Sequence, residues 1–391
     1  MADPVQALRR LLAGSHHARP EDIPGLAMQA ARLLDAREIV IYLVDYSQVS
    51  LVPMVGGADG RDVLAIDGTL PGRAFALSEV YETTGEDAYR SWVPLLDGTE
   101  RLGVLEVVTA CTPSPQLRED YQTTASLLAE LLTSRRLYGD AVERTRRRLP
   151  MQLAAEIVWN LLPPLTFMTT DVTVSAILEP CYDVGGDAFD FAVNGDVLHV
   201  AVFDAVGHGI DASALTSLAI SAYRNARRCG LDIVDTYRSM DKWIAAQHVG
   251  SFVTAVLAEL DTENGVYRRI SAGHPGELLL RDGKMIKQLD APTALPLGFG
   301  HLGDPIPAVS EESLQPADQL LLYTDGVIEA RTEDGEFFGV ERLADFVTKA
   351  LADRLPPPET MRRLVHAILG YQHERLQDDA TAMLVAWRPA S

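Results

Sequence analysis

The chain is poor in cysteine, in basic residues and in long apolar runs. Its three cysteines, Cys111, Cys181 and Cys229, lie far apart with no paired spacing. That argues against a disulfide framework and a cysteine-bound zinc, and suits a reducing cytoplasm. No stretch of about 18 apolar residues occurs, so a membrane span is not expected. The N-terminus, MADPVQALRRLLAGSHHARP, lacks an apolar core of signal-peptide length. Lys and Arg number 34 against 55 Asp and Glu, a formal charge of −21. Such a surface repels nucleic-acid phosphates and anionic lipid, so neither nucleic acid nor membrane is an expected partner. The HExxH helix, the G-x-S-x-G elbow and the P-loop are absent as well, which turns the reading away from acyl-serine and nucleotide-loop chemistry.

What the 391 residues do hold is 47% apolar content, enough for a core in each of two domains. The sequence is organised around residues 181–211, CYDVGGDAFDFAVNGDVLHVAVFDAVGHGID. An apolar strand, Val197 to Phe203, stops at Asp204 and a glycine pair flanking His208. Upstream, Gly185-Gly186-Asp187 brings a second carboxylate on backbone that can approach closely. Two more stretches place aspartate at a strand end: Tyr323-Thr324-Asp325-Gly326 and Gln377-Asp378-Asp379. Hard divalent cations need oxygen ligands, and a pair of cations needs several carboxylates converging at one end of a sheet. Taken singly, Asp-Gly turns are commonly just turns. Four such stretches suffice for a two-ion site.

In the N-terminal part, Leu26, Ala30 and Leu33-Leu34 predict a helix over 24–36, before a strand at 38–44. Further strands are expected at 51–54, 80–82 and 91–95, and the Asp97-Gly98 turn predicts a hairpin into 102–108. The segments IVIYLVD, TLPGRAFALSEVYE and SWVPLLDGTERLGVLEVV resemble a GAF domain, which implies a sensor or dimerisation domain over residues 1–135 with an unknown small molecule or none. Residues 115–162 read as a two-part helical linker, from Pro115 to Arg148 and from Met151 to Leu162, broken at Pro150. Its arginine run, Arg144 and Arg146 to Arg148, reads as a solvated helix end. Its leucine stripe is free to pack on its own domains or on a second subunit.

From 163 to 391, strands are expected at 171–179, 197–204, 251–260, 265–271, 277–281, 319–324 and 381–387. Helices come in two groups, 212–228 with 233–248 and 340–354 with 359–375. Strands and helices in runs argue for antiparallel sheets with helices outside, an α+β class. A four-layer α-β-β-α sandwich fits, as does a single covered sheet.

DVGGDAFD, FDAVGHGIDASAL, SAGHPGELLLRDG, LLLYTDGVIEARTEDGEFFG and DDATAMLVAW, in this order, resemble the metal-dependent protein serine/threonine phosphatases of the stage II sporulation protein E and stress-response regulator type. The resemblance implies the sandwich and two Mn2+ or Mg2+ ions. It implies Asp187 and Asp204 as shared ligands and catalytic residues, a backbone carbonyl from Ala205, and Asp325 and Asp378 to complete the set. Asp183, Asp190, Gly207, His208, His274 and Asp379 are then possible supporting residues around the ions. The implied partner is a phosphorylated STAS-type anti-anti-sigma factor, acted on by a homodimer whose N-terminal domain and linker form a sensor and lever. A catalytically idle scaffold on the same fold is the competing reading, and a metal-dependent nuclease a third that the charge opposes.

Overall fold

The computed structural model describes residues 3–54, 60–85, 88–290, 292–303, 306–332, 334–372 and 378–389, and the chain divides into two compact units, Met1–Pro150 and Met151–Ser391.

The first unit is built on an antiparallel sheet of β1 (Glu38–Val44), β2 (Ser50–Pro53), β3 (Leu64–Ala65), β4 (Tyr81–Thr84), β5 (Tyr89–Asp97) and β6 (Glu100–Thr109), in the order β3-β2-β1-β6-β5-β4. Alternation of side chains divides its apolar residues between two faces. Ile39, Ile41, Val93, Leu95, Leu105 and Val107 pack under α1 (Pro4–Ser15) and α2 (Ile23–Ala31), while Val40, Tyr42, Trp92 and Val104 pack under α3 (Leu70–Leu77). The expected hairpin forms, with Asp97 opposite Glu100. α3 is not among the elements expected from the sequence. Here the proline sits in the first helical turn, where its missing N–H costs nothing, and the Thr69 hydroxyl caps the Gly72 N–H at 3.1 Å.

The expected linker is shared out between the two units. α4 (Pro115–Arg135) buries Tyr121, Ala125, Leu128 and Leu132 in the core of the first, and α5 (Ala141–Arg146) adds Val142 to it. Helix does not continue to Arg148, and Leu128 and Leu132 of the leucine stripe pack in the unit's own core, while Leu137 is exposed. The arginine run is solvated only in part: Arg144 is exposed, but Arg146 and Arg148 bond back to the unit. Arg146 stacks on Tyr46, 4.5 Å from the ring centre, and donates to the Val44 carbonyl, while Arg148 donates to Ser50 Oγ at 2.6 Å. α6 (Leu153–Trp159) belongs to the second unit, where Ala155 and Val158 are fully buried.

The second unit has two antiparallel sheets. One combines β9 (Asp187–Asn194), β10 (Val197–Ala205), β11 (Val253–Asp261), β12 (Val266–Ala272) and β15 (Ser310–Ser313) in the order β15-β12-β11-β10-β9. The other combines β7 (Thr166–Met168), β8 (Val172–Glu179), β13 (Leu278–Arg281), β14 (Lys284–Gln288), β16 (Gln319–Tyr323) and β17 (Ala380–Trp387) in the order β14-β13-β16-β17-β8-β7. Leu320, Leu322, Met383 and Val385 share a core with the first sheet. Their neighbours Leu321, Tyr323, Ala382 and Leu384 pack instead with α10 (Gly339–Ala352) and α11 (Pro357–Tyr371). On the outer face of the first sheet, Phe203 meets Tyr223 of α7 (Gly209–Arg228) edge-on at 5.8 Å, beside α8 (Ile233–Gln247). The layers therefore run α-β-β-α, and the single-sheet alternative is set aside.

Candidate functional site

β10, the apolar strand around which the sequence is organised, lies between β9 and β11. Its register sets Asp204 opposite Asp187 on one side and opposite Thr254 on the other. Residues directly opposed in an antiparallel pair hold their Cβ atoms about 4.5–5.5 Å apart on one face, so the two carboxylates confront each other. The second sheet brings its own acids to the same place. β16 ends at Tyr323 and Asp325 opens the short α9 (Asp325–Ile328), while Asp378 and Asp379 precede β17. Thr324 bridges the sheets: its hydroxyl donates to Asp187 Oδ2 at 2.7 Å and accepts the Thr381 N–H at 2.9 Å.

The glycine motif is held by Asp379. One of its carboxylate oxygens accepts three successive backbone N–H groups, those of Gly185 at 2.9 Å, Gly186 at 2.7 Å and Asp187 at 3.3 Å. The backbones here leave no room for side chains. A Cβ on Gly186 would stand 2.8 Å from the Ala205 carbonyl oxygen, and one on Gly326 1.9 Å from that of Asp379. The Thr216 hydroxyl of α7 donates to the Gly186 carbonyl at 2.5 Å, fixing the other side of the same turn.

Electrostatically the cluster is uncompensated. Asp187 is 2% exposed, and burial first, then the charges of Asp204 and Asp379, push its pKa well up. Asp204 is raised to about 7 by burial, then by Asp325 and Asp378. Burial, followed by Asp378, raises Asp325 too. Among the described residues no Lys or Arg forms an ion pair with any of these five. Hard oxygen donors that destabilise one another for want of a cation fit a divalent ion. Among the described residues no three acidic, histidine or cysteine side chains already form a ligating group.

The structure sorts the expected supporting residues. His274 is buried, and its Nε2 lies 3.1 Å from the Tyr323 carbonyl, so that nitrogen carries the proton. Burial lowers its pKa to about 4. Nδ1 is then the acceptor for the Thr254 hydroxyl at 2.9 Å, and Thr254 also lies 3.4 Å from Asp204 Oδ2. His274 therefore reaches Asp204 only through Thr254. His208 is exposed, at the N-cap of α7, without a side-chain cap bond. Gly207, in the left-handed region at φ +98, turns the chain between β10 and that helix. Asp183 is exposed. Asp190, grouped with the site in the sequence, is committed elsewhere: Arg224 and Arg227 of α7 bind it at 2.7 and 2.9 Å. Three residues along a strand from Asp187 it points to the opposite face. The roles of Thr216, Thr254 and Thr324 are absent from the sequence reading, because a threonine carries no local mark of the distant partner its hydroxyl will meet.

Residues 194–388 match the protein family described as Stage II sporulation protein E (SpoIIE). Phosphoserine phosphatase RsbU of Bacillus subtilis is 24% identical over 282 residues, covering 69% of this chain and 81% of the relative. Protein IcfG of Synechocystis sp. is 23% identical over 281 residues, covering 64% of this chain and 43% of that protein, so the chain spans less than half of it. The SiaA-PP2C domain of Pseudomonas aeruginosa shares the fold, with a TM-score of 0.50 at 24% identity over 60% of this chain and 94% of the domain. These relatives support a phosphatase activity, and with it a dependence on metal ions.

Proposed function

Residues 194–388 are homologous to the SpoIIE-type phosphatases, and from that premise we propose that the protein hydrolyses phosphoserine or phosphothreonine on a regulatory protein partner, with two Mn2+ or Mg2+ ions held by Asp187, Asp204, Asp325, Asp378 and the Ala205 carbonyl. The observation that carries this reading is the meeting of Asp187, Asp204 and Asp325, from both sheets, with no Lys or Arg among the described residues to neutralise them. When bound, divalent ions supply the Lewis acidity that activates water and offsets charge on the phosphoryl oxygens. The chain's own part is positional. Asp379 anchors the Gly185-Gly186-Asp187 backbone, Thr324 orients the Asp187 carboxylate, and Thr254, set by neutral His274, stands beside Asp204. Asp187 and Asp204 must lose their protons to bind cations, so metal loading rises with pH.

The substrate we assign is a phosphorylated STAS-type anti-anti-sigma factor, in a partner-switching pathway that controls a sigma factor. The B. subtilis relative's description as a phosphoserine phosphatase supports the bond cleaved. The N-terminal unit, a GAF-like sensor in this reading, acts in a cytoplasmic homodimer. No described helix is long and apolar enough to cross a membrane. The test is manganese-dependent phosphate release from p-nitrophenyl phosphate and from a phosphoserine STAS protein. Release by the wild type and its loss in Asp204→Ala and Asp325→Ala is the expected result. Folded, metal-loaded protein that binds the STAS protein and releases nothing would make it a scaffold.

A further inference from the structure

The second unit has a second concave site, at the end of the sandwich away from the carboxylates. β16 and β17 are antiparallel, with Gln319 opposite Ala386 and Tyr323 opposite Ala382. Asp325, Asp378 and Asp379 therefore lie at one end of the pair, and Gln319 and Arg388 at the other, about 25 Å away along β17. There a cleft of about 810 Å3 opens between the ends of β13 and β16 and the α10–α11 connection. That volume is in the range of pockets that take small organic molecules.

Its walls are unlike the rest of this acidic surface. Leu351 and Leu355 give it an apolar side, and Arg354 and Arg388 an exposed cationic one. Neither arginine has an ion-pair partner among the described residues, whereas nearby Arg281 is held by Asp318 at 2.6 and 2.7 Å. Gln319, only 8% exposed, lines the same cleft, and its buried side-chain oxygen has no hydrogen-bond partner. A buried carbonyl oxygen left bare costs free energy, which a ligand N–H or O–H would recover. Arg354 also occupies left-handed backbone, φ +57, just past the end of α10, where glycine is the favoured residue. The fold bears that cost and keeps the guanidinium at the rim.

We propose that this cleft binds a small acidic organic molecule with an apolar body and one N–H or O–H donor. Arg354 and Arg388 take the acid group, Gln319 accepts the donor, and Leu351 and Leu355 cover the apolar part. Asp282 lines the same cleft, and its carboxylate disfavours a ligand of high negative charge such as a polyphosphate.

The test uses the full chain and 8-anilinonaphthalene-1-sulfonate, a probe with a sulfonate, an N–H and fused apolar rings, followed by fluorescence titration with thermal melts alongside. Saturable 1:1 binding is expected. Arg354→Gly and Arg388→Gln should each weaken it by roughly tenfold, the size of one charge-assisted hydrogen bond. Arg354→Gly should melt at or above the wild-type temperature, because glycine suits that backbone. Gln319→Leu should weaken the probe and raise the melting temperature by removing the bare oxygen. All three should keep wild-type phosphate release without the probe, since none lies at the carboxylate end. Equal probe affinity in wild type and both arginine variants, or no saturable binding, overturns the proposal.

Discussion

Two aspartates of β9, three residues apart, are treated in opposite ways. Asp190 faces α7 and receives two arginines. Asp187 faces the other sheet and receives a threonine hydroxyl and further carboxylates. The contrast extends through the unit. Asp318 is paired with Arg281, Glu277 with Arg269 and Tyr267, and Glu359 with Arg362 and Arg363. Burying a charge without a partner is costly, so an acid that serves the fold brings its cation with it. Among the described residues, the acids at the meeting of β9, β10, β16 and β17 bring none. Nothing among the described residues supplies the missing charge, and a bound cation would.

The comparison can be broken most decisively at Asp204. Asp204→Asn should lower manganese-dependent phosphate release by about a thousandfold, while leaving the chelated protein as stable as wild type or more so, because it removes repulsion. Lowered activity with a comparable loss of stability would place Asp204 with Asp190. The converse variant, Asp190→Asn, should cost about 3 kcal/mol in chemical denaturation, since it strands two arginine charges. Activity per folded molecule should change only a few-fold. Asp379→Asn weakens the charged acceptor of three N–H groups. A destabilisation of about 1–2 kcal/mol is expected, with a rise in the manganese concentration needed for half activity.

The smallest effect is on pH. An unfolded aspartate titrates near 4, whereas folded Asp204 titrates at about 7 and Asp187 is raised as well. Between those values the folded state holds more protons than the unfolded one, so stability falls as pH rises through the window. Melts in chelator from pH 5 to 8 should show that decline in the wild type and a shallower one in Asp204→Asn. Added manganese should reverse it. His199 and His274, lowered to about 4, add an opposite slope to both proteins below about pH 6.5, so the same pH dependence in wild type and Asp204→Asn would mean the acids are compensated after all.

Much of this architecture is legible locally. The grouping of strands and helices into runs gives antiparallel sheets with outer helices, and a strand such as Val197–Ala205 announces both its burial and its end. Proline and glycine mislead where they sit inside an element, as at Pro71-Gly72 of α3, and a glycine-rich motif conceals that Asp187 begins β9. The linker's leucines at 128 and 132 carry the right period, but nothing local says that their partner is the sheet of the first unit. Carboxylates beside glycine are visible one by one. That Thr254 stands across from Asp204, that Thr324 serves Asp187, and that Asp190 turns to α7 are facts of register and face, set by residues tens to hundreds of positions away.

The place of β17 bears on how the chain acquires this site during synthesis. The strand is the latest of the described elements, yet it occupies an interior slot between β16 and β8. It also follows directly on Asp379, the acceptor for backbone groups some 190 positions earlier. A nascent chain emerging in order therefore carries two unpaired apolar strand edges, those of β8 and β16, until β17 slides between them. The N–H groups of Gly185, Gly186 and Asp187 lack their Asp379 acceptor until the same moment. Closing the gap between β8 and β16 and anchoring the Gly185-Gly186 turn are thus one event, and a chain stalled before residue 378 would hold the earlier strands without either.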